Sequence, residues 1–316
     1  MKLPELKIGT KTAKIPIVQG GMAIRLSTAR LAAAVAEEGG IGLIAASGMA
    51  HDELRYEIKL ARSLTNGIIG INIMVAASDF FGIVRTAMDA GIDLIVAGAG
   101  FSRDIFGLGK ESGTPIVPIV SSVKLAKISE KLGAAAVVVE GKEAGGHLGT
   151  NTSIRELIEP IRAAVKIPII AAGGVLTGRD IAEILKMGAN GVQLGSRFAA
   201  SLEANGAPGL KEYYLKSQPE DVVLINSPVG LPGRAVRTPF SKRVMEGNVP
   251  PKVCDSCLKA CKHNFCIIRA LNRAQQGDLE TGLVFTGEYM PRIKEILPVK
   301  EIIRRLVTEA EEIYEP

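Results

Sequence analysis

The residues of this sequence that are best suited to chemistry follow short apolar runs and stand beside glycine. His147 comes directly after Gly145 and Gly146, a few positions beyond an apolar run that ends at Glu140. An imidazole has an ordinary pKa of about 6.5, so it can give or take a proton at neutral pH. Paired glycines tolerate positive φ angles and let a ligand come close to the backbone. The pattern predicts a ligand site with His147 as its catalytic residue.

Two later apolar runs end in a similar way. Gly173 and Gly174 close one of them, and Gly195 and Ser196 close the next. Glycine amides and a serine hydroxyl can donate hydrogen bonds to phosphate oxygens, and the loops after the last two strands of a (β/α)8 barrel commonly bind phosphate. We therefore predict a phosphate site at these residues; tight strand–helix turns are the alternative explanation of the glycines.

Small or polar residues also mark other apolar runs. Gly21 and Met22 follow the first run, where a small residue leaves room for a flat ring and the methionine can cover it. Asn72 lies inside an apolar run, where a buried amide without partners costs about 1–3 kcal/mol. Either a structural hydrogen-bond network or a ligand can satisfy Asn72, and the same two explanations apply to Glu140 and Gln193.

Eight apolar runs alternate with segments of helical period in the first two thirds of the chain. Each run is apolar on both faces, as expected of a parallel strand between a helix layer and a barrel interior. We predict an α/β fold, a (β/α)8 TIM barrel, with a doubly wound open sheet as the alternative; the first strand lacks the glycine fingerprint of that sheet. Ser27 is the predicted cap of the first helix. The predicted strands are 15–19, 41–46, 68–74, 92–97, 115–120, 135–140, 168–172 and 191–194.

The alternation ends after residue 204. Residues 205–289 contain a stretch rich in glycine and proline and a cysteine cluster, and we predict that they form a small cap domain. Residues 299–314 place apolar side chains on one helical stripe. The predicted organisation is a barrel over residues 1–204, completed by a C-terminal helix within 290–316.

The cysteine cluster places four thiols within 13 positions. Four thiolates can hold a tetrahedral zinc ion or a [4Fe–4S] cluster, while reduced thiols and a redox disulfide are the alternatives. Lys252, Lys259 and Lys262 lie nearby and would lower the pKa of the thiols. The candidate metal ligands are Cys254, Cys257, Cys261 and Cys266.

The composition limits the classes of function. The chain of 316 residues has a net charge of +5, and its basic residues form no block with interleaved aromatic residues, so nucleic-acid binding is not expected. Neither a signal peptide nor an apolar stretch of about 20 residues is present, which argues against secretion and a membrane span. We expect a cytoplasmic enzyme that acts on a small-molecule substrate, and we consider a homodimer as its assembly.

Taken together, residues 15–200 resemble the FMN-dependent nitronate monooxygenase family, also called 2-nitropropane dioxygenase-like, which includes the flavin-dependent enoyl-acyl-carrier-protein reductase II. The resemblance implies FMN at the barrel mouth, with His147 as the catalytic histidine. The phosphate would lie at Gly173, Gly174, Gly195 and Ser196, and the remaining positions would surround the ring or its tail. The motifs that carry the resemblance are Gln19-Gly20-Gly21-Met22, Asn72, Glu140, Glu143-Ala144-Gly145-Gly146-His147, Ala172-Gly173-Gly174 and Gln193-Leu194-Gly195-Ser196-Arg197-Phe198.

The implied reaction is the oxidation of alkyl nitronates by O2 to a carbonyl compound and nitrite. NAD(P)H-dependent reduction of an enoyl thioester is the alternative, and flavin/iron–sulfur electron transfer is a further one. The monooxygenases commonly carry a lysine near the end of the fifth strand, but residues 118–123 contain none. That departure, and a glutamate at position 140, resemble the reductases.

Overall fold

A computed structural model describes residues 2–247 and 249–315. The chain begins with an antiparallel hairpin, and within the described residues eight of the next nine strands close into a parallel barrel. The barrel order is β10-β11-β3-β4-β5-β6-β7-β8, which confirms the predicted TIM barrel and excludes the open sheet. The strands are β1 (Leu6–Ile8), β2 (Lys11–Ala13), β3 (Ile17–Gln19), β4 (Ile41–Ala45), β5 (Ile68–Met74), β6 (Leu94–Gly98), β7 (Ile116–Val120), β8 (Val137–Glu140), β9 (Gly146–His147), β10 (Ile169–Ala172) and β11 (Gly191–Leu194).

The barrel strands are apolar on both faces because each face meets a different core. Leu43 of β4 lies in the barrel interior, whereas the next residue, Ile44, packs towards the helices. Val138 of β8 faces the interior, and its neighbour Val139 faces outward. This alternation follows from the period of two along a strand.

Helices cover the outside of the barrel. Thr177 caps the helix after β10 with a reciprocal bond to Asp180. The predicted cap of the first helix was wrong: the N-cap position is Thr28, and the Ser27 hydroxyl instead contacts the loop after β3. The helices are α1 (Ala29–Glu37), α2 (His51–Leu64), α3 (Phe80–Asp89), α4 (Asp104–Ser112), α5 (Val123–Lys131), α6 (Ile154–Ala164), α7 (Gly178–Lys186) and α8 (Ser196–Ala199).

The N-terminal hairpin closes one end of the barrel. Leu6 and Ile8 of β1 are buried and join the interior core. A Cβ atom at Gly191, the first residue of β11, would lie 3.0 Å from the Leu6 side chain. The hairpin therefore plugs the end where strands begin, which leaves the end where they finish for a ligand.

Residues 205–289, here called the second lobe, lie over that other end; their status as a separate domain stays a prediction. Strand β13 joins this lobe to the barrel by pairing antiparallel with β9, with Gly233 opposite His147. β14 pairs with the next two residues along the same edge of β13, and β12 pairs with the opposite edge. The elements of the lobe are α9 (Pro208–Lys216), β12 (Val222–Asn226), β13 (Pro232–Val236), α10 (Pro239–Glu246), α11 (Ile267–Gln275) and β14 (Val284–Phe285).

The last helix, α12 (Val299–Ile313), returns to the barrel wall. The Gly178 amide at the start of α7 donates to Glu309 of α12 at 2.7 Å. A Cβ atom at Gly178 would lie 2.4 Å from the Leu306 carbonyl oxygen, so the glycine permits this close contact. Among the described residues, no helix combines the length and the hydropathy that crossing a membrane requires.

Gly42 offers a test of how closely the helix layer packs on the barrel. A Cβ atom at Gly42 of β4 would lie 1.9 Å from the Ala32 carbonyl oxygen of α1. We expect Gly42→Ala to lower the free energy of unfolding by at least about 1–3 kcal/mol, since overpacking forces backbone to move. Urea denaturation followed by circular dichroism measures the change.

The matched control is Gly107→Ala in α4, where an added Cβ meets no heavy atom within 4 Å. This substitution should raise stability by about 0.5–1 kcal/mol, because alanine is the better helix former. Equal effects of the two substitutions would contradict the packing argument.

Candidate functional site

A single cavity at the barrel mouth brings together every residue that the sequence predicts for catalysis or cofactor binding. The cavity and its opening hold about 1630 Å³ of space free of protein atoms. This figure includes the open space above the cavity, and concave sites of this kind are where proteins commonly bind cofactors and substrates. The predicted residues that line it are Gly21, Met22, Asn72, Glu140, Gly145, Gly146, His147, Gly173, Gly174, Gln193, Gly195 and Ser196.

The loop after β3 is held by a buried hydrogen-bond network. The Gln19 amide nitrogen donates to the Ser27 hydroxyl at 2.9 Å, and the Met22 amide donates to the same hydroxyl at 2.9 Å. The Leu43 amide donates to Gln19 Oε1 at 3.0 Å. These bonds hold the loop in the absence of a ligand, so the position of Gly20–Met22 is preformed.

Gly21 is needed for close packing between two strand ends. A Cβ atom there would lie 2.3 Å from the Cβ atom of Asn72 on β5. The Asn72 side chain lines the cavity, and it forms no hydrogen bond within the part of the chain that the structure describes. A ligand is therefore the better of the two predicted explanations for this amide.

At two positions of the predicted phosphate site, the protein itself requires a glycine. Gly173 and Gly174 have φ angles of +105° and +72°. Added Cβ atoms would lie 2.9 Å from the Ala144 amide and 3.0 Å from the Tyr289 ring, so backbone conformation and protein packing explain both glycines.

Gly195 differs from them because it faces open space. The nearest atoms to an added Cβ belong to Met22, at 4.0 Å, and the φ angle of Gly195 is −102°. Beside it, the Ser196 hydroxyl oxygen accepts a hydrogen bond from the Gly287 amide at 2.9 Å, which leaves its hydrogen free to donate. Neither packing nor conformation requires a glycine at position 195, which makes Gly195 the position that points most directly to a ligand.

Gln193 carries a buried polar atom without a partner. Its Oε1 atom is buried and accepts no hydrogen bond among the described residues. Its side chain lies against Gly20, where an added Cβ would be 3.3 Å away. An unsatisfied buried acceptor costs about 1–3 kcal/mol, and a donor on a bound ligand would remove this cost.

His147 lies where the barrel and the second lobe meet. Its Nε2 atom is 2.8 Å from the Ser227 hydroxyl oxygen, and its ring stands edge-on to Phe285 with centroids 5.3 Å apart. Burial lowers the pKa of His147 to about 4, because an imidazolium would lose its hydration there. The imidazole is therefore neutral at pH 7.

Glu140, at the end of β8, responds to burial in the opposite direction. Desolvation raises the pKa of its carboxyl to about 8, since the charged form of a carboxyl is the deprotonated one. At neutral pH Glu140 is protonated and can donate a hydrogen bond into the cavity. Both titratable groups that the sequence predicts for this site are thus uncharged at pH 7.

Arg234 of β13 fastens the loop that precedes His147, and the sequence analysis did not find it. Its Nε atom donates to the Ala144 carbonyl oxygen at 3.1 Å, and its guanidinium pairs with Glu288 at 3.2 Å. The sequence analysis also missed Ser227 and Phe285. A run of apolar residues between two glycines, 282–287, is the one local signal that could have indicated the strand that carries Phe285.

The predicted metal site is not supported. Among residues 2–247 and 249–315, no group of three or more histidine, cysteine or acidic residues is arranged to hold a metal ion. The four thiols are free, and burial, followed by the negative charge of the neighbouring thiols, raises the pKa of Cys257 to about 11. The predicted lowering of this pKa by lysine is also wrong for Cys257: the Lys259 ammonium donates to the Val75 carbonyl oxygen.

The cysteine loop instead packs beside the barrel mouth. The Ser78 amide donates to the Cys257 carbonyl oxygen at 3.0 Å, and the Lys259 amide donates to the Ala76 carbonyl oxygen at 2.9 Å. None of the four cysteines lines the cavity of the described residues. The four cysteines therefore belong to a loop that packs against the barrel, and their thiols are free.

Comparison with known proteins gives a consistent result. The sequence profile of the nitronate monooxygenase family matches residues 5–92 and 77–309 of this chain. FabK from Thermotoga maritima is similar in structure, with a TM-score of 0.87 and 36% identity, over 95% of this chain and 94% of that one. A probable nitronate monooxygenase from Staphylococcus aureus (strain MSSA476) is 26% identical over 95% of both proteins.

The chain also resembles two enzymes that share one name, (3aS,4S,5R,7aS)-5-hydroxy-7a-methyl-1-oxo-octahydro-1H-indene-4-carboxyl-CoA dehydrogenase. The one from Mycobacterium tuberculosis is 31% identical over 236 residues, which are 74% of this chain and 66% of that protein. The one from Rhodococcus jostii is 32% identical over 223 residues, which are 71% of this chain and 63% of that protein. The chain thus spans slightly less than two thirds of the length of these two relatives.

The raised pKa of Glu140 predicts a pH-dependent difference between the wild type and Glu140→Gln. In the ligand-free fold the carboxyl stays protonated up to about pH 8, whereas the ordinary pKa of a glutamate side chain is 4.5. Deprotonation therefore favours the unfolded chain as the pH rises. Relative to Glu140→Gln, the free energy of unfolding of the wild type should be constant below about pH 4.5 and should fall from there to about pH 8.

Urea denaturation of both proteins at a series of pH values measures this difference. The glutamine variant is itself the matched control, because it keeps the shape of the side chain and cannot ionise. Parallel stability curves from pH 4.5 to 8 would contradict the assignment of a protonated Glu140.

Proposed function

The chain belongs to the nitronate monooxygenase family, and we propose that it is an FMN-dependent oxidoreductase that oxidises alkyl nitronates with O2. The carbonyl compound and nitrite are the expected products. The observation that carries the proposal is the convergence of a neutral imidazole, His147, and an open glycine position, Gly195, on one cavity. The first is suited to contact a reacting anion, and the second to admit a phosphate.

The residues of the cavity fit FMN. Gly195 leaves space for a phosphate, and the Ser196 hydroxyl and the amides of this loop can donate hydrogen bonds to it. Gln193 Oε1 has no hydrogen-bond donor among the described residues, and a flavin ring could supply one; Asn72 offers an amide in the same cavity. When bound, FMN would supply the acceptance of electrons from the substrate and their transfer to O2.

The protein would contribute orientation and hydrogen bonding. A nitronate carries its negative charge on two oxygen atoms, and a neutral imidazole can donate one hydrogen bond to such an oxygen. Protonated Glu140 adds a second donor and brings no negative charge that would repel the anion. The second lobe covers the cavity with Phe285 and Tyr289, and so limits the access of water.

Reduction of an enoyl thioester by NAD(P)H is the second candidate. It is supported by the likeness to FabK from Thermotoga maritima, an enoyl-ACP reductase. The absence of lysine from residues 118–123 and the glutamate at position 140 also favour it. Flavin/iron–sulfur electron transfer loses its support, since no described residues form a metal site.

Substitution of His147 tests its assignment as the catalytic residue. We expect His147→Ala to keep bound FMN and to lower kcat/KM by about 10²–10⁴-fold, the range that a positioned acid or base contributes. Nitrite release from propyl-2-nitronate and NAD(P)H oxidation with a crotonyl thioester separate the two candidate reactions. The substrate on which the wild type is active identifies the reaction, and the same assay is then applied to the variant.

His51→Ala is the matched control, because His51 bonds to Thr86 of α3 and to Asp79, the N-cap of that helix, and does not line the cavity. Its activity should equal that of the wild type. An unchanged kcat/KM in His147→Ala would remove the catalytic assignment.

Gly195→Ala tests the phosphate position without disturbing the fold. The added methyl group meets only Met22 at 4.0 Å, so stability should be unchanged, but the methyl group would occupy the space proposed for phosphate. We expect the Kd for FMN to rise at least about tenfold, equivalent to about 1.4 kcal/mol. Quenching of flavin fluorescence during titration of flavin-free protein measures Kd.

Gly209→Ala in α9 serves as the control, since an added Cβ there meets no heavy atom within 4 Å and Gly209 lies outside the cavity. It should bind FMN as the wild type does. Normal FMN affinity in Gly195→Ala would place the phosphate elsewhere.

A further inference from the structure

Ser227 of the second lobe contacts His147 although 80 positions separate them in the chain. It follows β12 directly and is 1% exposed. Its amide donates to the Leu231 carbonyl oxygen at 3.1 Å, and the Gly230 amide donates to the Ser227 carbonyl oxygen at 2.9 Å. Ser227 is thus held in the tight turn between β12 and β13, and its hydroxyl has a defined position relative to the imidazole.

The hydrogen bonds of the Ser227 hydroxyl determine which way the bond to His147 runs. The hydroxyl oxygen already accepts a hydrogen bond from the Val229 amide at 3.3 Å. Among the described residues, His147 Nε2 is the one acceptor within reach of the hydroxyl hydrogen. If Nε2 carried the proton instead, this buried hydrogen would have no acceptor, which would destabilise the folded state.

We propose that Ser227 is a positioning residue that donates to His147 Nε2, and so holds the imidazole in the tautomer that carries its hydrogen on Nδ1. The surroundings of the other ring nitrogen, Nδ1, agree with this tautomer. Nδ1 forms no hydrogen bond within residues 2–247 and 249–315, and His147 lines the cavity. The Nδ1–H group is then available to a ligand as a hydrogen-bond donor.

This tautomer also limits which substrates can react, a point that rests on the proposed function. In this form His147 can donate to a negatively charged oxygen of the substrate, but Nε2 is engaged with Ser227 and cannot accept a proton from a neutral substrate without breaking that bond. The site therefore suits a substrate that arrives as an anion. The second lobe would act on the chemistry through Ser227, which itself does not line the cavity.

Nitrogen NMR of the 15N-labelled FMN-bound protein tests the tautomer directly. We expect His147 Nε2 to give a pyridine-type shift and Nδ1 a pyrrole-type shift near pH 7, and the signals are assigned by their loss in His147→Ala. A wild-type spectrum with the two types exchanged would overturn the proposal, whatever the stability of any variant.

Three variants connect the tautomer with activity. Ser227→Ala should retain FMN, shift the His147 nitrogens towards averaged values, and lower kcat/KM for propyl-2-nitronate by roughly 10–100-fold, less than the loss of a whole acid–base group. Ser227→Thr keeps a hydroxyl and should restore both the shifts and most of the activity. Ser217→Ala is the matched control, because Ser217 is also buried in the second lobe but its hydroxyl bonds to the Tyr213 carbonyl oxygen.

Unchanged nitrogen shifts in Ser227→Ala, or a loss of activity that Ser227→Thr does not restore, would overturn the positioning role. The two proposals fail in different ways. A wild type that oxidises no nitronate would remove the proposed function, while the nitrogen shifts would still decide whether Ser227 sets the tautomer.

Discussion

The antiparallel pairing between β9 and β13 is the contact on which the site depends. It places Gly233 opposite His147 and Arg234 opposite Gly146, and so joins a loop of the barrel to the second lobe. A two-residue strand has little stability of its own, and the Arg234 bonds to the Ala144 carbonyl oxygen and to Glu288 hold the pairing in place. The position of the imidazole relative to Ser227 and Phe285 follows from this pairing.

Burial at the barrel mouth makes both His147 and Glu140 neutral at pH 7. One physical cause, the loss of hydration of the charged form, lowers the pKa of His147 to about 4 and raises that of Glu140 to about 8. At these two positions the cavity offers hydrogen-bond donors that carry no charge. Such an environment is compatible with an anionic substrate, because anions need donors and are repelled by carboxylates.

The glycines and cysteines show how one sequence signal can have several physical causes. Gly21 is small because Asn72 lies against it, and Gly173 because the Ala144 amide does, whereas Gly195 faces empty space. The four cysteines lie close together along the chain, yet in the fold their loop docks on residues 75–78 and forms no metal site among the described residues. Spacing along the chain indicates which residues can meet, and only the packed structure shows which of them do.

The sequence by itself determined the barrel, and it predicted a ligand site at the glycine-bearing strand ends and His147. Apolar runs such as 41–46 and 191–194 predicted β4 and β11 because strand periodicity and the steric freedom of glycine are local properties. The tertiary structure alone decided the partners of His147, the pKa values at the site and the cause of each glycine. Ser227 is 80 positions from His147 and Arg234 is 90 positions from Ala144, and burial depends on what surrounds a residue in space. Only the folded chain brings those surroundings together.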